Sequence, residues 1–595
     1  MSASDLLGLD IAALIQNAQA LRDDPDTAYG EGAFAEIRLA LVGGFTTDFV
    51  ARILEVFLHA WQIKAEIFQT PFGTLTESIL KPKSELYKFK PQLTVLLVHQ
   101  GDLMGALPPS AEPPDFAVAV ENEARRWRSY WKALAARAGT QIIQSNFDLP
   151  TARALGNLDG IHPSGKSAYT RAVNLELARD LPKGTSIFDL DYQAARFGLE
   201  RAKDDAQYHT SKQPFSFAFL PTYCHALSSL IAAHCGRAKK CVVLDLDDTL
   251  WGKTAAEDGI DNIQLGPDSA LGEAFLAFQQ YLKALRNRGV ILAVNSKNDP
   301  DMAKSVFETH PHMALSLDDI ACFEANWNDK VHNIRTIART INIGQDSMVF
   351  FDNSAQERHL IRESLPEVTV VDVPEDPSGY IAALDRCMAF ELVALTADAA
   401  KRTEYLIQNQ HRAESEDEFL DYDAYLDSLQ MVANVTAIGD KNLARAAELV
   451  QRTNQFNVRT VRHGTAELES MLSSGKHLGF CCSLRDRFGQ HGIISVVVLE
   501  RRPDELFVDT WLMSCRVLQK SVEQFVFEKI LEIAKKEGLP RLVAEYRPTP
   551  KNQMVAELFP QLGFKKTSMS DAGETTWELC LSGSFSPPKH HIVEE

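Results

Sequence analysis

Asp245, Asp247 and Asp248 follow the apolar run Cys241-Val242-Val243-Leu244 and are followed in turn by Thr249. Side chains on a strand alternate, so Asp245 and Asp247 point to one side. The carboxyl edge of an open α/β sheet is where such proteins bind ligands. Three carboxylates crowded there repel one another. A divalent cation relieves that repulsion, and hard Mg2+ prefers oxygen ligands of this kind. The same charge screens the approach of an aspartate nucleophile to a phosphate dianion. The chemistry this cluster suits is phosphoryl transfer.

The surrounding pattern predicts an α/β multidomain protein of three blocks. The first, residues 1–232, has continuous apolar strands at Ile37–Val42, Leu93–Val98 and Gln141–Ser145, alternating with helices such as Arg125–Ala136. Buried runs of this type predict a parallel sheet covered on both faces. The second, residues 236–395, is read as strand Cys241–Leu246, helix Leu271–Arg288 closed by Gly289, and strands at Val290–Val294, Ser347–Phe351 and Val368–Val373. Residues 396–432, with the acidic run Glu414-Ser415-Glu416-Asp417-Glu418, are expected to be a helical connector with a solvated face. The third block, 433–583, has three successive strands (Leu478–Leu484, Gly492–Leu499, Leu506–Met513), helix Val522–Glu537, strand Leu542–Tyr546, helix Lys551–Leu562 and strand Thr576–Leu581. Short turns between successive strands make them antiparallel, an α+β pattern. Residues 584–595 are expected to be a flexible, frayed tail.

Length and charge fit this division. A chain of 595 residues is too long for one core. Sixty-one Lys+Arg against eighty Asp+Glu leave a formal charge of −19. That argues against broad nucleic-acid binding and against docking on anionic lipid. No basic leader precedes an apolar segment, and no apolar stretch is long enough to span a bilayer. Nine cysteines with no C-x-x-C pair argue against zinc and against a disulfide framework, so the expectation is a cytoplasmic protein with reduced thiols.

The stretch Asp245-Leu246-Asp247-Asp248-Thr249 resembles motif one, DxDxT, of the haloacid dehalogenase (HAD) superfamily. The resemblance implies that Asp245 is the nucleophile and Asp247 the acid/base. Ser296 after Val290–Val294 matches motif two, which holds the phosphoryl group. Lys330 matches motif three, which offsets the dianion and steadies Asp245. Asp352-Asn353 matches motif four, so that Asp245, Asp247, Asp352 and Asn353 are the implied Mg2+ ligands, with Asn where the family usually has a second Asp. The gaps between motifs leave no room for a large cap: the first has a short loop and one helix, the second Asp299–Phe307 and a strand-like piece near Met313. The expectation is a HAD-like Rossmannoid domain with an open site.

More specific wording resembles the FkbH-like family of HAD proteins: Asp247-Asp248-Thr249-Leu250-Trp251-Gly252, Ser296-Lys297-Asn298-Asp299-Pro300, Asn326-Trp327, Asp352 with Glu357-Arg358, Gln451-Arg452-Thr453-Asn454-Gln455-Phe456-Asn457, Asp486-Arg487-Phe488-Gly489, and Asp509-Thr510-Trp511-Leu512-Met513-Ser514-Cys515-Arg516-Val517-Leu518. Members of that family dephosphorylate 1,3-bisphosphoglycerate, hold the glyceryl group as an enzyme thioester and pass it to the phosphopantetheine arm of an acyl carrier protein in polyketide-type biosynthesis. The resemblance implies that chemistry here. Carrier proteins are usually acidic, so an acidic chain needs a local basic contact patch.

The third block is similar to a GNAT acyltransferase fold, but Gln519 and Ser521 stand where its pyrophosphate loop has glycines. Cys515 is the implied thioester residue. A hairpin turning around Pro503, with paired residue numbers summing to about 1006, sets His491 opposite Cys515, where it could draw off the thiol proton. Asp159-Gly160-Ile161-His162 in the first block resembles the Asp-x-x-His block of SGNH hydrolases, which makes Thr46, Asp159 and His162 a second candidate site in an SGNH-like α/β/α domain. The first strand lacks the expected serine, so a non-catalytic recognition role is the other reading. Three functions remain in view: the FkbH-like phosphatase and glyceryltransferase, acting on a phosphorylated three-carbon acid; a Mg2+-dependent phosphatase with a structural C-terminal domain; and a non-catalytic scaffold that binds a carrier protein.

Overall fold

The computed structural model describes every residue except 1–2, 31–33, 107, 109, 111–114, 396–402, 407, 409–420, 454, 515–516, 519, 571 and 582–587. The chain divides into two compact units, residues 1–235 with 463–470, and residues 236–462 with 471–595.

The first unit is built on a parallel sheet of five strands: β1 (Ala35–Gly43), β2 (Ile63–Gln69), β3 (Leu93–Leu97), β4 (Gln141–Ser145) and β5 (Thr185–Phe188), in the order β2-β1-β3-β4-β5. The three central strands are the ones the buried apolar runs predict. The two edges, β2 and β5, were not anticipated because half-exposed edge strands carry no such run; β2 places Lys64 in solvent. Helices Asp48–Ala60, Phe116–Ala138 and Lys166–Arg179 pack on the sheet through buried residues such as Ile53, Trp127 and Val173.

The second unit contains two sheets. One is parallel, with β6 (Cys241–Leu244), β7 (Ile291–Ser296), β8 (Ile320–Ala325), β9 (Met348–Phe351) and β10 (Thr369–Val370), ordered β10-β9-β6-β7-β8. The strand expected near Met313 is instead Ile320–Ala325, paired with β7. Between β6 and β7 lie the four-residue helix Ala255–Asp258, a short 3-10 turn and helix Ala270–Asn287; between β7 and β8 lie helix Pro300–Thr309 and one 3-10 turn. No segment there is large enough to cover the carboxyl edge as a cap.

The other sheet is mixed: β11 (Met431–Ala437), β12 (Phe456–Asn457), β13 (His477–Asp486), β14 (Gly489–Arg502), β15 (Glu505–Met513), β16 (Arg541–Tyr546), β17 (Lys565–Met569), β18 (Thr575–Cys580) and β19 (Ile592–Glu594). Strands β13, β14 and β15 are antiparallel, as expected. β15 and β16 run parallel, joined through helix Val522–Glu537, and pair over Leu506–Val508 with Leu542–Ala544. Beyond that stretch β15 pairs with β12, Phe456 opposite Met513 and Asn457 opposite Leu512.

Two expectations at the margins are corrected. Residues 592–594 are not frayed: they pair in parallel with Met431–Ala433, and the Lys529 ammonium donates to Glu594 at 2.8 Å. In place of one helix over Lys551–Leu562 there is a 3-10 turn, Gln553–Val555, and a short helix, Leu558–Gln561. Among the described residues no helix is long and apolar enough to cross a membrane.

Candidate active site

Central strand β6 delivers Asp245 to the carboxyl edge of its sheet, and β9 delivers Asp352 beside it; the Asp245 N–H donates to the Phe351 carbonyl at 3.2 Å. Lys330 joins the two carboxylates. Its Nζ lies 3.0 Å from Asp245 Oδ1 and 2.5 Å from Asp352 Oδ2. Lys330 and Asp352 are both buried.

The lysine is positioned by its backbone. It is the first residue of helix Lys330–Thr340, whose N-cap Asp329 accepts from the His332 N–H at 2.8 Å. The Lys330 carbonyl accepts from Asn295 Nδ2 at 2.9 Å, Asn295 Oδ1 accepts from Asn333 Nδ2 at 3.1 Å, and Asn333 Nδ2 also donates to Asn326 Oδ1 at 3.0 Å. Asn295 and Asn333 are fully buried, so this amide chain locks the end of β7, the loop after β8 and the start of the helix together.

Asp247 has a different environment. Its Oδ1 accepts from the Trp251 indole N–H at 2.9 Å and from the Ala255 N–H at 3.3 Å, and its Oδ2 accepts from Asn298 Nδ2 at 2.9 Å. The turn that permits this passes through Asp248 with φ of 51°, a left-handed conformation that Asp tolerates, and the Tyr380 hydroxyl donates to the Asp248 carbonyl at 2.9 Å.

These surroundings separate the charge states. Burial pushes the Asp247 carboxyl up, and the neighbouring Asp245 and Asp248 charges add to it, while the Trp251 and Ala255 donors oppose it. Burial and the Asp245 charge push Asp352 up against the pull of Lys330. Burial disfavours the Lys330 charge, but Asp245 and Asp352 outweigh it and hold its pKa above the ordinary value. One aspartate of the pair that follows β6 is thus matched to an ammonium and the other is kept proton-retentive, the division of labour that nucleophile and acid/base require.

Among the described residues no three His, Cys, Asp or Glu side chains converge on a point that could hold a metal ion. Two acidic oxygens, from Asp245 and Asp352, share one ammonium and keep a net negative charge. Mg2+ is commonly bound by one or two carboxylates, with water and substrate phosphate completing its shell. Asp245 and Asp352 fit that arrangement. The Asp247 carboxylate accepts from its three donors, and Asn353 Oδ1 accepts from the Thr249 hydroxyl at 3.3 Å. Ser296 ends β7 at the same edge and is buried, its carbonyl accepting from the Asn326 N–H at 3.1 Å.

The other expected sites fare differently. Cys515 lies outside the described residues. The register predicted for His491 is corrected: it would set Val498 opposite Val508, whereas Val498 pairs with Thr510 and Leu499 with Val508, an irregularity falling between them. His491 is buried and its Nε2 meets Asp486 Oδ2 at 2.8 Å. In the first unit the Thr46 hydroxyl donates to the Ser211 carbonyl at 2.7 Å, Asp159 accepts from the Ser167 N–H at 2.8 Å at the start of helix Lys166–Arg179, and His162 Nδ1 accepts from the Ser164 N–H at 3.1 Å. Each is committed to a backbone group, and among the described residues no hydrogen bond or ion pair joins the three into a triad.

Residues 38–232 match the family model of the FkbH N-terminal domain. The N-terminal part of protein BF1531 from Bacteroides fragilis, containing a phosphatase domain and crystallised with Mg, is similar to the chain at 31% identity and a TM-score of 0.58, over 65% of this chain and 100% of that one. The chain belongs to the FkbH family. Smaller likenesses include the ribosomal-protein-S18-alanine N-acetyltransferase of Escherichia coli (15% identity, 26% of this chain and 97% of that one, TM-score 0.21) and the GNAT domain of S. lividans PAT (18%, 25% and 89%, 0.21). No curated protein matches.

In this FkbH-family chain sequence reasoning assigned no role to Asn298, Trp251 or the Asn295–Asn333–Asn326 relay. Asn298 and Trp251 sit inside the quoted motifs, so their spacing from Asp247 was available. Asn333 lies one helical turn past Lys330 with nothing in the sequence to mark its partner.

Proposed function

We propose that the chain is a Mg2+-dependent phosphoryl-transfer enzyme of the FkbH type. It removes the C3 phosphate of a phosphorylated three-carbon acid such as 1,3-bisphosphoglycerate at the Asp245 centre; the Cys515 thiolate attacks the C1 acyl-phosphate carbon and displaces that phosphate, and the glyceryl thioester so formed passes to the phosphopantetheine thiol of an acyl carrier protein, which restores Cys515. The observation that carries the phosphoryl half is the opposed setting of Asp245 and Asp247 on one strand end. An Asp245 oxygen attacks phosphorus and the bond to the leaving oxygen breaks. Asp247 gives its proton to that oxygen. Asp247 then takes a proton from the water that attacks the aspartyl-phosphate, and phosphate leaves with Asp245 restored. Lys330 pairs with Asp245 and orients it. A bound Mg2+, held by Asp245 and Asp352, supplies charge neutralisation for the phosphoryl oxygens.

The alternative is a Mg2+-dependent phosphatase whose C-terminal block has no thioester chemistry. Intact mass after incubation with 1,3-bisphosphoglycerate and Mg2+ separates them. A glyceryl adduct lost in Cys515→Ala supports transfer; phosphate release with no adduct supports the plain phosphatase. Asp245→Asn is expected to lower phosphate release on the order of 10³-fold or more while leaving the fold intact, and release at the wild-type rate would remove Asp245 from its role.

A further inference from the structure

Helix Lys330–Thr340 presents two unlike faces. Val331, Ile334 and Ile337 are buried against the parallel sheet, while His332, Arg335 and Arg339 are exposed. At 3.6 residues per turn these three form one stripe opposite the buried face. Among the described residues no carboxylate lies within ion-pair distance of any of them. The Arg339 guanidinium meets neutral oxygens, the Arg335 carbonyl at 3.4 Å and the Thr336 hydroxyl at 3.2 Å. The acids nearest in sequence are turned elsewhere: Asp329 onto the His332 N–H, Glu324 onto Asn326 Nδ2 at 3.0 Å. Trp327, on the turn leading into the helix, is 76% exposed.

Arginines that make no ion pair among the described residues form a local basic stripe in a chain of formal charge −19 and attract an acidic partner. An exposed indole on the turn leading into an arginine stripe has the composition of an interface hot spot. The stripe starts two residues from Lys330, whose ammonium touches Asp245, and extends about 10 Å along the helix at 1.5 Å per residue. We propose that Trp327, His332, Arg335 and Arg339 form the docking surface for the acidic carrier protein, with the indole as apolar anchor and the arginines as its ionic frame. This rests on the carrier-protein reading above and adds where the partner sits: on the flank of the phosphoryl centre.

The test uses the full chain and a fluorescently labelled holo acyl carrier protein, with binding read by anisotropy at low and moderate salt. Hydrolysis of p-nitrophenyl phosphate runs alongside. For R335E/R339E the expected result is a Kd raised about tenfold or more, a flattened salt dependence, and ester hydrolysis at the wild-type rate. If the wild type binds the carrier and the variant binds within twofold of it, this surface is overturned and the carrier reading stands. If the wild type binds no carrier at either salt, both fall, while ester hydrolysis still reports the phosphoryl centre. If charge reversal also abolishes ester hydrolysis, the milder R335Q/R339Q pair decides by the same criterion. A DNA oligonucleotide that displaces the carrier at equal charge concentration assigns the stripe to nucleic acid and overturns the proposal.

Discussion

The Lys330 ammonium stands 2.5 Å from the Asp352 carboxylate, and both groups are buried. Removing one partner of such a pair leaves an uncompensated charge. Lys330→Met is expected to destabilise the second unit by about 3–5 kcal/mol. Because Asp245 and Asp352 then face each other without a cation, added Mg2+ is expected to recover part of the loss. Urea unfolding in EDTA and in Mg2+ measures both effects; a variant as stable as wild type in EDTA removes the pair from its structural role.

Asp247 is expected to matter most where the leaving oxygen needs a proton. Asp247→Asn is predicted to slow hydrolysis of an alkyl phosphate by roughly 10²–10⁴-fold. The burst of p-nitrophenol from its phosphate ester, a leaving group that departs as a stable anion, should suffer much less, while steady turnover falls on both esters because Asp247 also serves as base toward the attacking water. A burst slowed as much as the release of the alkyl alcohol would show that Asp247 acts other than as an acid.

Asn298 holds one Asp247 oxygen at 2.9 Å, and its own Oδ1 accepts from the Asp299 N–H at 2.9 Å. Asn298→Ala is expected to reduce kcat by about tenfold, one lost charge-assisted hydrogen bond, with little change in KM for p-nitrophenyl phosphate. The loss should be greater on the alkyl ester, as for Asp247. A change confined to KM would place Asn298 in substrate binding.

His234 in the first unit is buried, with Nδ1 2.5 Å from Gln141 Oε1 and Nε2 2.9 Å from the Ser186 hydroxyl. Burial pushes its pKa down to about 4. The unfolded chain takes up the proton near the ordinary value of about 6.5. Stability from neutral His234 is therefore full above that value and is lost as pH falls toward the folded pKa. Between pH 7.5 and 5 the wild type should lose more urea resistance than His234→Gln; parallel losses would mean that His234 does not set the acid limit.

Much of this was legible in the residues. β6 and Asp245–Thr249 are an apolar run meeting a carboxylate cluster, and both periodicity and charge repulsion point at the same edge. The central strands β1, β3 and β4 were visible for the same reason, continuous burial. What escaped depends on partners distant in sequence. β2 and β5 are edges whose polar faces mask them. β19 is three residues that become a strand only because Met431–Ala433 offers an open edge. The engagement of Asp247 by Asn298 spans 51 residues, and no local spacing predicts it. The His491 register is off by one residue at the turn itself, where Arg502 pairs with Glu505, and by a second beyond the irregularity at Val498–Leu499.

The pairing of β19 with β11 has a consequence for the order in which the protein is made. β11 begins at Met431 and its outer neighbour begins at Ile592, so the edge of that sheet stays bare while about 160 further residues are synthesised, roughly 8–30 s at ordinary elongation rates. The two parallel sheets have every strand in hand well before then. The last sheet is the one whose nascent form needs protection, and slowing translation after Met431 should cost soluble yield while slowing it before Cys241 should not.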